Sequence, residues 1–300
     1  MINNLNSSDS RFVSALERIQ ARMERAQREL SSGKRIFVAS DEPDGISALL
    51  SVRSELESTE QAKLNLGRTK AEVDAAENGL QTAVKIMERA RVLAGQAQSG
   101  FNDEPTWLAL QQEAADLTQQ LLNVSNLAIE GRYIFSGNSD TTQPFTYDPN
   151  IGAVNPYAGS AATRQSLFPG GNPFGVARSG GEIFDSQNPG ESAFAALREL
   201  QTSLEARDVT ATREAMVNIE GAQKHISSQL STYGAIQRRV IEANAAAEST
   251  SLRLKTQLAR LEEADATQSI IDLQQAEFQQ RAALQTRGAM PKTSLFDYLG

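Results

Sequence analysis

Cysteine is absent from the 300-residue chain, which excludes disulfides, thiolate metal sites and cysteine nucleophiles and leaves the redox compartment open. A single histidine, His225, allows neither a catalytic His triad nor a multi-histidine metal site, and reads as a helix-surface residue. Aromatic residues make up only 6%, too few for a thick globular core. No run of about 18 apolar residues occurs, so no membrane-spanning helix is expected. The first residues, Met1–Asp9, are polar, without a basic stretch leading into an apolar one, and do not read as a cleavable secretory signal. Net positive charge is also missing: the balance is −8, which disfavours nucleic acid or an anionic membrane as a partner.

What the chain has instead is 40% hydrophobic residues spread through Ala-, Gln-, Leu-, Glu- and Arg-rich sequence, a balance suited to long helices zipped along thin seams. Phe12, Leu16, Ile19, Met23, Ala26 and Leu30 alternate spacings of four and three, the pattern of a coiled-coil helix. Gly33 closes that helix, and Ser40–Gly45 announces the next, with Asp41 placed to cap it and Pro43 suited to its first turn. Leu66, Val73, Leu80, Met87 and Ala94 then repeat every seven residues, beside an alanine lane at Ala76, Ala83, Ala90 and Ala97 that admits a close neighbour. A third helix opens at Asn102–Pro105, carries its seam on Trp107, Leu110, Ala114, Leu117, Leu121, Val124 and Ala128, and is expected to stop at Gly131.

Residues 132 to about 190 change character. Aromatics from Tyr133 to Phe184, Phe168 among them, lie among Pro-Gly, Asn-Pro and Gly-Gly clusters, which predicts short strands between turns or irregular loop, and no helix. Helix returns near Ser192 and restarts after Asp208. It is expected to run almost unbroken to about Gln285, on Ile226, Tyr233, Val240, Ala247, Leu254 and Leu261 and then, less regularly, Ile271 and Phe278. Gly221 and Gly234 are positions where it could bend, and Asn244 and Gln257 are candidates for setting register. The end, Ser294–Leu299, is short and apolar.

The expected fold is therefore mainly α: a long antiparallel coiled-coil helical bundle with its terminal helices pairing, plus a small β-rich or irregular inserted domain. The divisions fall at 1–45 with 250–300 for the terminal coiled coil, 46–131 with 191–249 for the helical bundle, and 132–190 for the insert. Charge follows the same division. Residues 1–36 carry +3 and 248–300 carry −1, leaving −10 between them, as a solvated outer surface would have.

Leu30–Ile36 (Leu-Ser-Ser-Gly-Lys-Arg-Ile) and Ala39–Gly45 (Ala-Ser-Asp-Glu-Pro-Asp-Gly) resemble the N-terminal signature shared by bacterial flagellins and their junction proteins. The proline in that turn, the Gly131–Gly137 motif (Gly-Arg-Tyr-Ile-Phe-Ser-Gly) followed by Pro144-Phe145, and the ending Ser294–Leu299 (Ser-Leu-Phe-Asp-Tyr-Leu) are more similar to the hook-filament junction branch, the type 3 hook-associated proteins. That resemblance implies an extracellular subunit of the bacterial flagellum, exported unfolded through the type III apparatus. It also implies self-assembly in a ring, with flagellin on one side, another hook-associated protein on the hook side, and an export chaperone as a further partner. Phe12, Leu16, Ile19, Met23, Leu30, Leu254, Leu261, Ile271, Phe278, Leu295 and Phe296 are the expected assembly residues. The alternatives are a short flagellin that forms the filament itself and, from another class, a coiled-coil adaptor or a bundle-core enzyme.

No catalytic residue, cofactor or metal is expected. Gly33-Lys34 lacks the preceding glycine of a phosphate loop and is followed by Arg35 instead of Ser or Thr. Glu262, Glu263 and Asp265 read as a solvated flank or as intersubunit pairing partners, and Trp107 as a packing residue.

Overall fold

The computed structural model describes residues 2–38, 41, 43–99, 103–162, 164–167 and 171–289, leaving aside the side chains of 2–9 and 43–44. Ser40, Glu42, Asn102, Phe168 and the Ser294–Leu299 motif, with Leu295 and Phe296, lie outside the described residues. The chain forms α1 (Ile2–Ser32), α2 (Pro43–Ala97), α3 (Glu104–Ser125), β1 (Ala128–Ile129), β2 (Arg132–Tyr133), β3 (Tyr147–Asp148), β4 (Ala153–Val154), β5 (Gln165–Leu167), β6 (Pro173–Gly175), α4 (Gly180–Phe184), α5 (Ala193–Glu205), α6 (Val209–Glu262) and α7 (Ala266–Ala289). Two compact units result: 1–58 with 251–300, and 59–250.

In the 59–250 unit the seven-residue repeats become the core. Leu66, Val73, Leu80, Met87 and Ala94 of α2 are each no more than 2% exposed, and the Ala76, Ala83, Ala90 and Ala97 lane is fully buried. Ile226, Tyr233, Val240 and Ala247 of α6 are as deeply buried. The two helices run antiparallel, since Gln98 near the end of α2 donates to the Met216 sulfur near the start of α6, at 3.3 Å. Further along, Gln237 donates to Asp74 at 2.9 Å. Trp107, Leu110, Ala114, Leu117 and Leu121 bring α3 into the same cluster, and Phe194, Leu197, Leu200 and Leu204 bring in α5.

Helix α3 ends at Ser125, six residues before Gly131. Asn126 explains the stop: its amide donates to the Phe145 carbonyl at 2.9 Å and accepts from the Phe145 N–H at 3.1 Å, holding a distant strand-like segment against the helix end. Ala128 accordingly pairs with Tyr133 in an antiparallel hairpin. Glu130 (φ 51°) and Gly131 (φ 77°) form its turn, the double left-handed geometry that a tight hairpin prefers. Gly131 is thus a hairpin glycine and not a helix terminator.

The rest of the insert is two more hairpins, β3 with β4 and β5 with β6, and one short helix, α4. That helix contradicts the expectation of none in 132–190. Ser179 accepts from the Glu182 N–H at 3.2 Å, so Ser-Gly-Gly-Glu supplies an N-terminal cap with a glutamate three residues on. Phe135, Phe145 and Phe184 are fully buried, with Phe135 edge-on to Phe184 at 5.2 Å and Phe145 against Phe194 of α5 at 4.9 Å. Tyr233 of α6 joins the nest beside Phe135, and its hydroxyl accepts from the Arg178 N–H at 3.1 Å. The Tyr157 hydroxyl donates between the carbonyls of Phe135 and Ser160, at 2.9 and 3.1 Å. Burial pushes both phenols up to about 12.

His225 is not a plain surface residue. Its Nε2 lies 2.8 Å from the Glu182 carbonyl and its Nδ1 3.3 Å from the Glu191 carboxylate, so it straps α4 and the turn after it onto α6. One turn earlier, Gly221 leaves room for the Gly190 carbonyl, which a Cβ would strike. Helix α6 runs through Gly221 and Gly234 without interruption but ends at Glu262, so the long C-terminal helix is two helices. Asp265 causes the restart, accepting from the N–H groups of Thr267 and Gln268 at 2.9 and 3.1 Å.

Two substitutions test this packing. Leu80→Ala is expected to cost about 2–5 kcal/mol in urea or thermal unfolding, against no more than about 0.5 kcal/mol for Leu64→Ala, whose side chain is 64% exposed. Gly137→Ala is expected to cost about 1–3 kcal/mol. It must hold φ at +64° and place a Cβ against the Ser160 carbonyl, and a loss of the near-ultraviolet aromatic signal should accompany it.

Candidate assembly interface at the terminal helix pair

The 1–58 with 251–300 unit is built on a thin seam. Helices α1 and α7 pair along their length and run antiparallel: Ser269 donates to Glu29 at 2.8 Å near one end, and Arg287 lies over the Phe12 ring near the other. Gly33 (φ 69°) ends α1 and donates its N–H to the Glu29 carbonyl at 2.8 Å, the left-handed termination that glycine allows. Among the described side chains of α1 only Ala26 is buried; Phe12, Leu16, Ile19, Met23 and Leu30 stay half-buried. On α7 the inward face is Ser269, Leu273, Ala276, Gln280 and Ala283, of which only Ser269 and Ala276 are buried.

The expected C-terminal assembly residues therefore divide. Ile271 and Phe278 lie off this seam, 41% and 72% exposed, because the break at 263–265 resets the helical phase. Leu254 is 1% exposed and already packed inside the subunit, whereas Leu261 is half-buried. Asn244 is half-buried and Gln257 exposed, which gives neither a buried polar position. Beside the seam a groove of about 440 Å³ has Arg22, Arg25 and Arg35 on one wall and Asp265, Gln268 and Asp272 on the other.

The end of this pair is knotted by backbone and charge together. Arg35 donates its N–H to the Glu262 carbonyl at 2.7 Å, and Ala264 donates to the Gly33 carbonyl at 3.0 Å. Lys34 and Glu263 pair in a single antiparallel bridge. Glu262 is only 5% exposed, contrary to the expected solvated flank, and its carboxylate sits between Lys34 and Arg53 of α2, the latter at 3.0 Å. Burial raises its pKa, but hydrogen bonds and charge from Lys34 and Arg53 outweigh that and hold it below the ordinary carboxylate range. Sequence reasoning missed this site because Lys34, Arg53 and Glu262 share no spacing. Asp41 accepts from the Phe37 and Val38 N–H groups at 2.9 and 3.0 Å, ordering the connection before α2. Those bonds lower its pKa.

Among the described residues no cluster of His, Asp and Glu could hold a metal ion, and no helix is long and apolar enough to cross a membrane.

Residues 2–140 match the bacterial flagellin N-terminal helical region, and 216–299 match the bacterial flagellin C-terminal helical region. Polar flagellin F of Vibrio parahaemolyticus is 30% identical over 127 residues, covering 42% of this chain and 33% of that one. The flagellar filament 41 kDa core protein of Borreliella burgdorferi is 21% identical across 89% of this chain and 88% of its own. Flagellar hook associated protein-3 of Legionella pneumophila superposes with a TM-score of 0.61 at 16% identity, over 70% of this chain and 98% of that structure. The chain spans only about a quarter to a third of the first curated flagellins it matches.

The paired Glu262 gives a pH dependence with a defined sign. Because its folded pKa is lowered, its contribution is complete above the ordinary carboxylate range and is lost as pH falls through the folded value. Hydrogen exchange of the α1 amides, referenced to those of α2, should lose protection as pH is lowered from 6 to 3. Glu262→Gln should flatten that dependence.

Proposed function

We propose that this chain, which belongs to the bacterial flagellin family, is the structural subunit that forms the junction between hook and filament. The observation that carries the reading is the half-open seam of α1 and α7. Burying a large apolar side chain is worth about 1.5–3 kcal/mol, and five such side chains on α1 remain half-covered within the subunit. A two-helix pair this thin is marginal on its own. It can stay unfolded for type III export and order itself when neighbouring copies cover it. The terminal coiled coil, 1–45 with 250–300, serves on this reading as the inner polymerising part, with Phe12, Leu16, Ile19, Met23 and Leu30 as its contacts, joined by the exposed Ile271 and Phe278. The bundle and the 132–190 insert face outward, and the role is structural, not enzymatic.

The Gly131–Gly137 motif favours junction over filament. It builds the hairpin turn, the Phe135 anchor and the Gly137 close approach that root a small insert on α5 and α6. The hook-associated protein of Legionella shares the fold over 98% of its own structure and 70% of this chain. The partners follow: copies of itself in a ring, flagellin, a second hook-associated protein and an export chaperone. The second reading, a short flagellin, draws on the full-length match to a filament core protein.

Deleting the gene separates them. A junction subunit predicts intact hooks with flagellin lost to the medium; a filament subunit predicts hooks and no flagellin made. Normal filaments would sink both. In the isolated subunit, trypsin is expected to cut within 11–35 and 253–287 at least about tenfold faster than within 66–97, since the weakly packed pair opens locally. Equal rates would remove the argument for assembly-coupled ordering.

A further inference from the structure

The described face of α7 says little about which of its turns belongs opposite which turn of α1. Its α7 face reads Ser269, Leu273, Ala276, Gln280 and Ala283, on a seven-residue repeat. Sliding α1 by one heptad, about 10 Å at 1.5 Å per residue, would exchange Ser269 for Ala276, Ala276 for Ala283 and Leu273 for Gln280. Two of those three exchanges are between small residues of similar size. The polar contacts specific to one register include the Ser269–Glu29 hydrogen bond and Arg287 over Phe12.

One place does distinguish the registers. At the turn from α6 to α7, Glu262 is buried and holds Lys34, from the residues that end α1, while also holding Arg53 of α2. Backbone bonds from Arg35 to Glu262 and from Ala264 to Gly33 flank it. Sliding α1 would withdraw Lys34 and leave the carboxylate with Arg53 alone, short of one of its two cations. We propose that the Lys34–Glu262–Arg53 cluster is a register pin, which makes one alignment of α1 against α7 the folded one whenever the terminal pair forms. Buried polar groups have this effect in coiled coils, where they set alignment at a cost in stability. The pin goes beyond the junction reading and is independent of it: it concerns the alignment within one subunit, whichever flagellar structure that subunit enters.

The absence of cysteine makes a direct test possible. Two double-cysteine variants of the full chain are treated with a short thiol-to-thiol cross-linker: Glu29→Cys with Ser269→Cys reports the observed register, and Glu29→Cys with Ala276→Cys reports the register one heptad away. In the otherwise native chain the first pair should cross-link about tenfold faster than the second. Adding Glu262→Gln should bring the ratio below about threefold, with helix content by circular dichroism unchanged; Lys34→Met should act the same way. Glu263→Gln, altering the exposed neighbour, should leave the tenfold ratio intact. An unchanged ratio in both Glu262→Gln and Lys34→Met overturns the proposal. So does loss of cross-linking in both pairs with loss of helix, since the cluster would then hold the pair together and not choose its register.

Discussion

Antiparallel α2 and α6 bury their seven-residue repeats in one core, and the larger unit is organised around it. The alanine lane from Ala76 to Ala97 is wholly buried because no side chain there reaches past Cβ to hold another helix away. The larger repeat residues, Leu80 and Met87 on α2 and Ile226 and Tyr233 on α6, fill the same core. Helices α3 and α5 then close over it, antiparallel to each other, with Gln201 donating to Thr118 and Gln111 to the Leu204 carbonyl, each at 3.0 Å. A core of aliphatic seams and few aromatics accounts for the composition.

The aromatics that exist are concentrated where seams are unavailable. An insert of three two-stranded hairpins and a five-residue helix cannot support itself by strand pairing, since isolated hairpins are marginal in water. Phe135, Phe145, Phe184 and Tyr157 supply its core, and Phe194 and Tyr233 receive it on the bundle. Edge-to-face geometry recurs in this nest, as ring quadrupoles favour. The β3–β4 hairpin leaves Tyr147 and Ile151 exposed but turns Ala153 inward, where it is buried. The terminal pair is the opposite case, with neither a thick seam nor an aromatic nest. What it has is a charge and backbone knot at one end and half-covered apolar side chains along the rest. On the proposed function that division has a use: the termini keep apolar surface for neighbouring copies, whereas the 59–250 unit buries its seams within the chain.

The residues at 2–140 and 216–299 that place the chain in the flagellin family include both terminal helices and most of the bundle. The stretch outside both matches takes in the β3–β6 hairpins, α4 and α5. The two family matches thus follow the helical seams.

The heptads of α2 and α6, the starts of α3 near Asp103, of α5 near Ser192 and of α6 after Asp208, and the glycine that ends α1 could all be read from sequence alone. Each is a local rule, a spacing or a side chain bonding to its own backbone within a few residues, and local rules are written in the order of the chain. The sequence by itself therefore determined a mainly helical bundle with weak termini and an irregular insert. Tertiary structure alone decided where a helix yields to a partner far away. Asn126 ends α3 because Phe145 is there to be bonded, which turns Gly131 into a hairpin residue. Glu262 is buried because Lys34 and Arg53 converge on it from more than 200 residues away in the sequence, and α7 starts a new phase at Asp265, turning Phe278 outward. Burial of a charge or satisfaction of a backbone group depends on which partners arrive, and no spacing within one segment records that.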